Sequence, residues 1–202
     1  MSIVAISGTQ GCGKTTTINQ MIELRYKADN FSTARYVQDL FKVSSLNEIL
    51  SKPYEVIKSF QQAILEVKFE RDSYHAQSSD YFVVERCFAD IYAYASTWAE
   101  KDLGKSEEDQ ALYKAWVNSE YRNACFNNQD AIDYEVIMLG PLQSFEADPK
   151  RASEDDRFIV HDKIRNFLVE HEARTGTPFT FIPNTDKLER EILVNEEMKR
   201  LR

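Results

Sequence analysis

Gly8-Thr9-Gln10-Gly11-Cys12-Gly13-Lys14-Thr15 satisfies the pattern Gly-x-x-x-x-Gly-Lys-Ser/Thr at every fixed position. Those residue types suit one task, the holding of a polyphosphate. Gly8, Gly11 and Gly13 let backbone N–H groups, that of Cys12 included, turn inward around phosphate oxygens. A helix opening at this point adds its N-terminal partial positive charge. Lys14 is expected to reach the β- and γ-phosphates, Thr15 to ligate Mg2+ through its hydroxyl, and Thr16 to donate to a phosphate oxygen. A chance match in a chain of this length arises roughly once in a hundred. The chain holds only six glycines, so three within six positions concentrate flexible backbone in one place. ATP with Mg2+ is the expected ligand.

Two further groups of residues fit the same chemistry. Glu85-Arg86 follows the apolar run Tyr81-Phe82-Val83-Val84. A carboxylate there is placed to hold Mg2+ or to accept the proton of an attacking hydroxyl. Arg86 offers a planar fork for a phosphate. The alternative is a surface charge pair capping the next helix. Asp148-Pro149-Lys150-Arg151, with Arg157 shortly after, gathers positive charge in an acidic chain. Arginines on a closing lid offset the charge spread over a transferring phosphoryl group. Arg151 is the expected contact. Arg157 is placed for phosphate binding too, although Glu154, Asp155 and Asp156 are ready partners for it.

The elements that must position these residues follow from hydrophobic periodicity. Ile3 to Ser7 reads as a buried strand, and a helix from Lys14 to Tyr26 carries Ile18, Met21 and Ile22 on one stripe. A second strand is expected over Thr33 to Val37, then a short helix over Leu46 to Leu50. A long helix from Tyr54 to Gln77 has the stripe Ile57, Phe60, Ile64 and Val67. The third strand, Tyr81 to Val84, precedes helices over Ala89 to Lys101 and Glu108 to Cys125. A fourth strand over Glu135 to Leu139 stops at Gly140-Pro141. Ser153 opens a helix carrying Val160, Ile164, Phe167, Leu168 and His171. Phe179 to Ile182 is a fifth strand and Thr185 to Leu201 a last helix. Strands alternating with helices imply an α/β protein with a parallel sheet covered on both faces. Ligands of such sheets bind beyond the carboxyl ends of the strands.

Composition excludes several classes. The 202 residues suit one domain, with no repeat and no linker. A net charge of −8 argues against a broad basic face for duplex nucleic acid. No apolar run is long enough to cross a membrane, and the opening MSIVAISG lacks a charged leader, so a cytoplasmic location is expected. Cys12, Cys87 and Cys125 are widely spaced and suggest neither a zinc site nor a disulfide framework. Asn184-Thr185-Asp186-Lys187 only scrambles the guanine motif of GTPases.

With the loop at 8–15, the Glu85-Arg86 pair and the basic segment at 148–157 in place, the chain resembles the P-loop kinases of nucleosides and nucleotides. The deoxynucleoside kinases carry an acidic-Arg-Ser motif, and Cys87 departs from its third position. The run Glu85-Arg86-Cys87-Phe88-Ala89-Asp90-Ile91-Tyr92-Ala93-Tyr94 also resembles the ER-xxx-D-xx-AY pattern of NadR-like ATPases. The resemblance implies a three-layer P-loop NTPase fold over residues 1–202, with five parallel strands in the order 2-3-1-4-5 and a lid at about 144–157. It implies transfer of the γ-phosphoryl group of ATP to a nucleoside or nucleoside monophosphate. It also implies a carboxylate after the second strand acting on the acceptor, matched here by Asp39, which otherwise reads as a helix N-cap. Gln61, Gln62 and Arg71 fall on the helix that lines the acceptor pocket in relatives. Of Tyr92, Tyr94, Trp98, Tyr113 and Trp116, at most one is expected to touch substrate, the rest being core. A homodimer through the helices at 54–77 and 89–101 is implied. The competing readings are a kinase of a hydroxymethylated base in DNA and an ATPase switch with a protein partner.

Overall fold

The computed structural model describes residues 3–77, 81–101, 103–142 and 156–201. Its centre is β1 (Ile3–Ser7), buried along its whole length. Alternate side chains of β1 serve opposite faces, as a pleated strand requires. Ile3 and Ala5 join one apolar cluster, and Val4 and Ile6 join the other. The remaining strands are β2 (Lys27–Asp29), β3 (Phe82–Glu85), β4 (Tyr134–Leu139) and β5 (Phe179–Ile182). All pair in parallel, in the order β2-β3-β1-β4-β5 that the family resemblance implies.

Helices cover both faces. α1 (Lys14–Glu23) and α9 (Lys187–Arg200) close the smaller cluster with Ile18, Met21, Val194 and Met198. The larger cluster takes α4 (Tyr54–Ala76), α5 (Phe88–Glu100), α7 (Arg122–Ile132) and α8 (Asp156–Thr175). α2 (Thr33–Leu40) and α3 (Leu46–Leu50) pack against α4, and α6 (Glu107–Trp116) precedes α7. No helix among the described residues is long and apolar enough to cross a membrane.

Three expectations change. The segment Thr33 to Val37 is helical, and the second strand lies earlier, at Lys27–Asp29. Only Val37 of α2 is buried, so its β-branched and aromatic residues express one-sided burial, not pleating. The real strand has three residues and lies at the sheet edge, too short to show a period. The helix expected over Glu108 to Cys125 is interrupted by a π turn at Val117–Tyr121. The wider turn sets Trp116 and Tyr121 side by side, ring centres 4.8 Å apart, both buried. The proposed dimer face also shrinks, because α5 is buried within its own chain over most of its length.

Phe60 of α4 is fully buried between Phe41, 5.4 Å away edge-on, and Trp98, 6.4 Å away and stacked. Its replacement by alanine is expected to cost about 3–5 kcal/mol of unfolding free energy, read from urea denaturation followed by tryptophan fluorescence.

Candidate functional site

The sheet register brings three chain reversals to one edge. Ile6 lies opposite Glu85 and Ser7 opposite Met138, so Gly8, Arg86 and Gly140 leave the sheet as neighbours. Gly8 has φ +138°, and a Cβ there would stand 2.7 Å from Cys12 Sγ and 2.8 Å from the Leu139 carbonyl. The loop can therefore start only on glycine. It ends at Gly13, φ +90°, whose carbonyl accepts the Thr17 N–H at 2.9 Å and starts α1. Lys14 is 4% exposed, and its ammonium donates to the carbonyls of Gly8 at 2.9 Å and Thr9 at 2.7 Å. Thr15 and Thr16 are exposed at the start of α1. The Cys12 side chain belongs to the smaller core cluster, so this residue serves the loop through its backbone.

A buried carboxylate ties the loop to the second reversal. Asp90, fully buried, accepts from the Ser7 hydroxyl at 2.8 Å, the Gly8 N–H at 3.0 Å and the Cys87 N–H at 3.1 Å. The Cys87 bond forms half of a capping box that starts α5. Arg86 Nη1 stands 3.4 Å from the same carboxylate, and Arg86 Nε 3.7 Å from Glu85. Burial opposes the Arg86 charge, but Tyr94, Asp90 and Glu85 together raise its pKa further above the ordinary arginine value. Burial likewise pushes the Cys87 thiol up, so it stays protonated.

Arg86 has φ +68°, a conformation that costs an ordinary residue about 1–3 kcal/mol. The peptide before it is held on both sides. Its N–H donates to the Ile6 carbonyl at 3.0 Å, and the Glu85 carbonyl accepts from the Lys68 ammonium at 3.0 Å. Lys68 is 3% exposed and pairs with Asp72 at 2.6 Å, and Asp72 also accepts from the Tyr134 hydroxyl.

These parts open onto one cleft of about 810 Å3. Gln10, Thr15, Glu85 and Arg86 form the end nearest the loop. Phe31, Arg35, Asp39, Gln61, Ile64, Lys68, Tyr94 and Trp98 line the rest. Gln61 is held by the Tyr121 hydroxyl, 3.2 Å from its Oε1. Gln62 is exposed and lies outside this lining. Asp39 belongs to the last turn of α2 and is exposed at the cleft, so it is no N-cap. With the strand moved, the carboxylate at the end of β2 is Asp29. It pairs with Arg71 and caps its own loop through the Phe31 N–H at 2.9 Å. Arg71 lies 3.4 Å over the Phe31 ring, so it holds a wall residue and does not line the cleft itself. Two of the five aromatics, Tyr94 and Trp98, reach the cleft, whereas Tyr113 and Trp116 are core.

Arg157, in the first turn of α8, is buried and donates to the Leu142 carbonyl at 3.0 Å. It shares a small recess with Thr9, Gln10, Tyr94 and Trp98. Lys150, Arg151 and most of the expected lid lie outside the described residues. Asp186 caps α9 by accepting the Glu189 N–H at 2.9 Å, and His171 bonds Asp130 at 2.7 Å. Both are structural.

Sequence reasoning passed over Asp90, Lys68 and Arg190 as site residues. Asp90 stands three positions past the cap residue, which is a readable signal. Lys68, four residues after Ile64 and four before Asp72, is a cation on an apolar stripe. Arg190, which donates to the Cys12 carbonyl from α9, sits in a charged helix that gives no hint of it.

The chain matches the model of the AAA domain family over residues 3–190. No curated protein sequence matches it. Among solved structures it is similar to the NadR protein in complex with NR, at 12% identity and TM-score 0.62. That match covers 92% of this chain and 46% of the other, so the chain spans about half the length of NadR. A deoxyadenosine kinase from M. mycoides, with the products dCMP and dCDP bound, matches at 14% identity and TM-score 0.62, over 99% of this chain and 100% of that one. Thymidylate kinase from Candida albicans matches at 14% identity and TM-score 0.60, over 98% and 91%.

Replacing Asp90 by asparagine puts an amide N–H2 among donors that need an acceptor. We expect about 3 kcal/mol lower stability in urea denaturation, against about 1 kcal/mol for Ser7→Ala. Equal, small losses for both would show that the carboxylate is not the tie.

Proposed function

The chain belongs to the AAA domain family and has the fold of P-loop nucleoside and nucleotide kinases, and from that premise we propose that it transfers the γ-phosphoryl group of ATP to a nucleoside or nucleoside monophosphate. The observation that carries this reading is the continuity of the cleft. It joins the phosphate loop at Gln10 and Thr15 to Glu85-Arg86 and to a half-apolar chamber beyond them. A volume of about 810 Å3 suits a nucleoside-sized ligand. The similar proteins named above are a deoxyadenosine kinase, a thymidylate kinase and NadR in complex with NR, which supports this reading.

The residues divide the work. The loop N–H groups and Lys14 hold the β- and γ-phosphates. The acceptor enters between α2 and α4, with Phe31, Ile64 and Trp98 against its apolar parts and Gln61 offering its amide. The acceptor hydroxyl oxygen bonds to the γ-phosphorus as the bond to the ADP oxygen breaks, and its proton passes to the Glu85 carboxylate. Arg86 holds the equatorial oxygens, or the phosphate of a monophosphate acceptor. Asp39 approaches the acceptor from the opposite wall. Arg151 and Arg157 bring lid charge to the transferring group. Most of the catalysis is positioning and charge stabilisation.

The donor set also suits Mg2+. Thr15 and Glu85 line the same cleft end. Mg2+ takes one or two protein oxygens and fills its shell with phosphate and water. Bound there, it would neutralise charge on the β- and γ-oxygens.

The test is ADP release from Mg-ATP against deoxynucleosides, ribonucleosides, their monophosphates, nicotinamide riboside and hydroxymethylated DNA. One small acceptor is expected to stimulate release strongly, and Lys14→Ala to reduce it at least about a hundredfold. Glu85→Gln is expected to lower kcat about a hundredfold. Stimulation by the DNA alone, or flat release with ATP bound, would replace this reading with one of its rivals.

A further inference from the structure

The last helix brings a guanidinium against the phosphate loop that the reaction just described does not use. Arg190 is 5% exposed. One amino group donates to the Cys12 carbonyl, and Nη2 to the Gly140 carbonyl at 3.3 Å. Its buried Nε has no hydrogen-bond partner, and no carboxylate pairs with it among the described residues. Burial pulls its pKa below the ordinary arginine value, and only Cys12 opposes this. A buried cation without a counter-charge is costly, so a plain tie between helix and loop is an expensive use of arginine.

The bonding pattern points to a second role. The Cys12 carbonyl and the Gly13 N–H belong to one planar trans peptide and point in opposite directions. Pinning the carbonyl to α9 turns the Gly13 N–H to the side of the loop away from that helix. Gly13 has φ +90° and precedes Lys14, so its own backbone preference leaves that peptide free to rotate. The second bond, to Gly140, ties the same guanidinium to the end of β4. The plane is thereby fixed relative to the sheet.

We propose that Arg190 is a positioning residue for nucleotide binding: it locks the Cys12–Gly13 peptide so that the Gly13 N–H faces the polyphosphate, and the polyphosphate supplies the counter-charge that Arg190 lacks. This rests on the reading of the 8–15 loop as an ATP site. It extends the phosphate site to α9, behind the loop, and assigns the donor half of the reaction a residue that never touches the nucleotide.

The experiment compares wild type, Arg190→Met and Arg190→Lys by calorimetric binding of Mg-ADP and Mg-ATP, with the acceptor found above measured in parallel. Both variants are expected to bind nucleotide at least about tenfold more weakly, because lysine keeps the charge but cannot reach two carbonyls as a planar fork. KM for ATP rises while KM for the acceptor holds. In 15N-labelled protein the Gly13 amide resonance shifts on nucleotide binding in wild type and shifts less in the variants. Should Arg190→Met not fold, Arg190→Lys carries the test alone. A folded variant that binds nucleotide as tightly as wild type overturns the role of Arg190 and leaves the ATP site standing. A wild-type protein that binds no nucleotide overturns both.

Discussion

Everything at the carboxyl edge of the sheet hangs on one buried negative charge. Asp90 has no exposure, and a lone carboxylate in such a place is untenable without donors. The chain supplies them from two directions, Ser7 and Gly8 from the loop side and Cys87 from the start of α5. The carboxylate thereby couples the first turn of the phosphate loop to the reversal that carries Glu85 and Arg86. The two halves of the cleft cannot drift apart without unpairing it. Arg86 adds a guanidinium nitrogen 3.4 Å from the same carboxylate.

The same device recurs at the level of single peptides. The Glu85–Arg86 peptide is held by Lys68 on its carbonyl and Ile6 on its N–H. The Cys12–Gly13 peptide is held by Arg190 on its carbonyl. In both cases a buried cation from a helix outside the loop fixes a backbone unit beside a conformation that is not self-supporting. Arg86 needs the support because its φ is positive without being glycine. Gly13 needs it because glycine has no preference to lose. A rigid cleft end is thus built from backbone, and the charged side chains behind it act as its fasteners.

How much of this was legible follows from how local each cause is. The 8–15 loop declares itself because glycine at Gly8 and Gly13 is dictated by backbone angles and by a contact within the loop. α4 and α8 show their stripes because one face of each is buried. β2 is hidden because three residues carry no period and its pairing with β3 is a tertiary fact. That error carried the expected acceptor carboxylate with it. Asp29 ends the strand yet is spent on Arg71 and the Phe31 N–H, while Asp39, one helix later, is the residue at the cleft. Arg190 lies 178 residues from the carbonyl it holds, and no local pattern encodes such a pairing.

The placement of these fasteners separates the site into two parts that are held in different ways. The loop end depends on Asp90, Lys68 and Arg190, each buried and each bonded to backbone, so substitution there disturbs the sheet edge itself. The far wall is built from Phe31 under Arg71, Gln61 beside Tyr121, and Arg35 and Asp39 on α2. α2 buries a single residue, so it can change its inward face at little cost to the core. The cleft wall on α2 is thus less constrained by packing than the strand ends are. The fold is shared at 12–14% identity with a deoxyadenosine kinase, a thymidylate kinase and NadR, and one fold can host different ligands in such a cleft. The edge is held fixed by buried charge, whereas the wall on α2 adds little to the core.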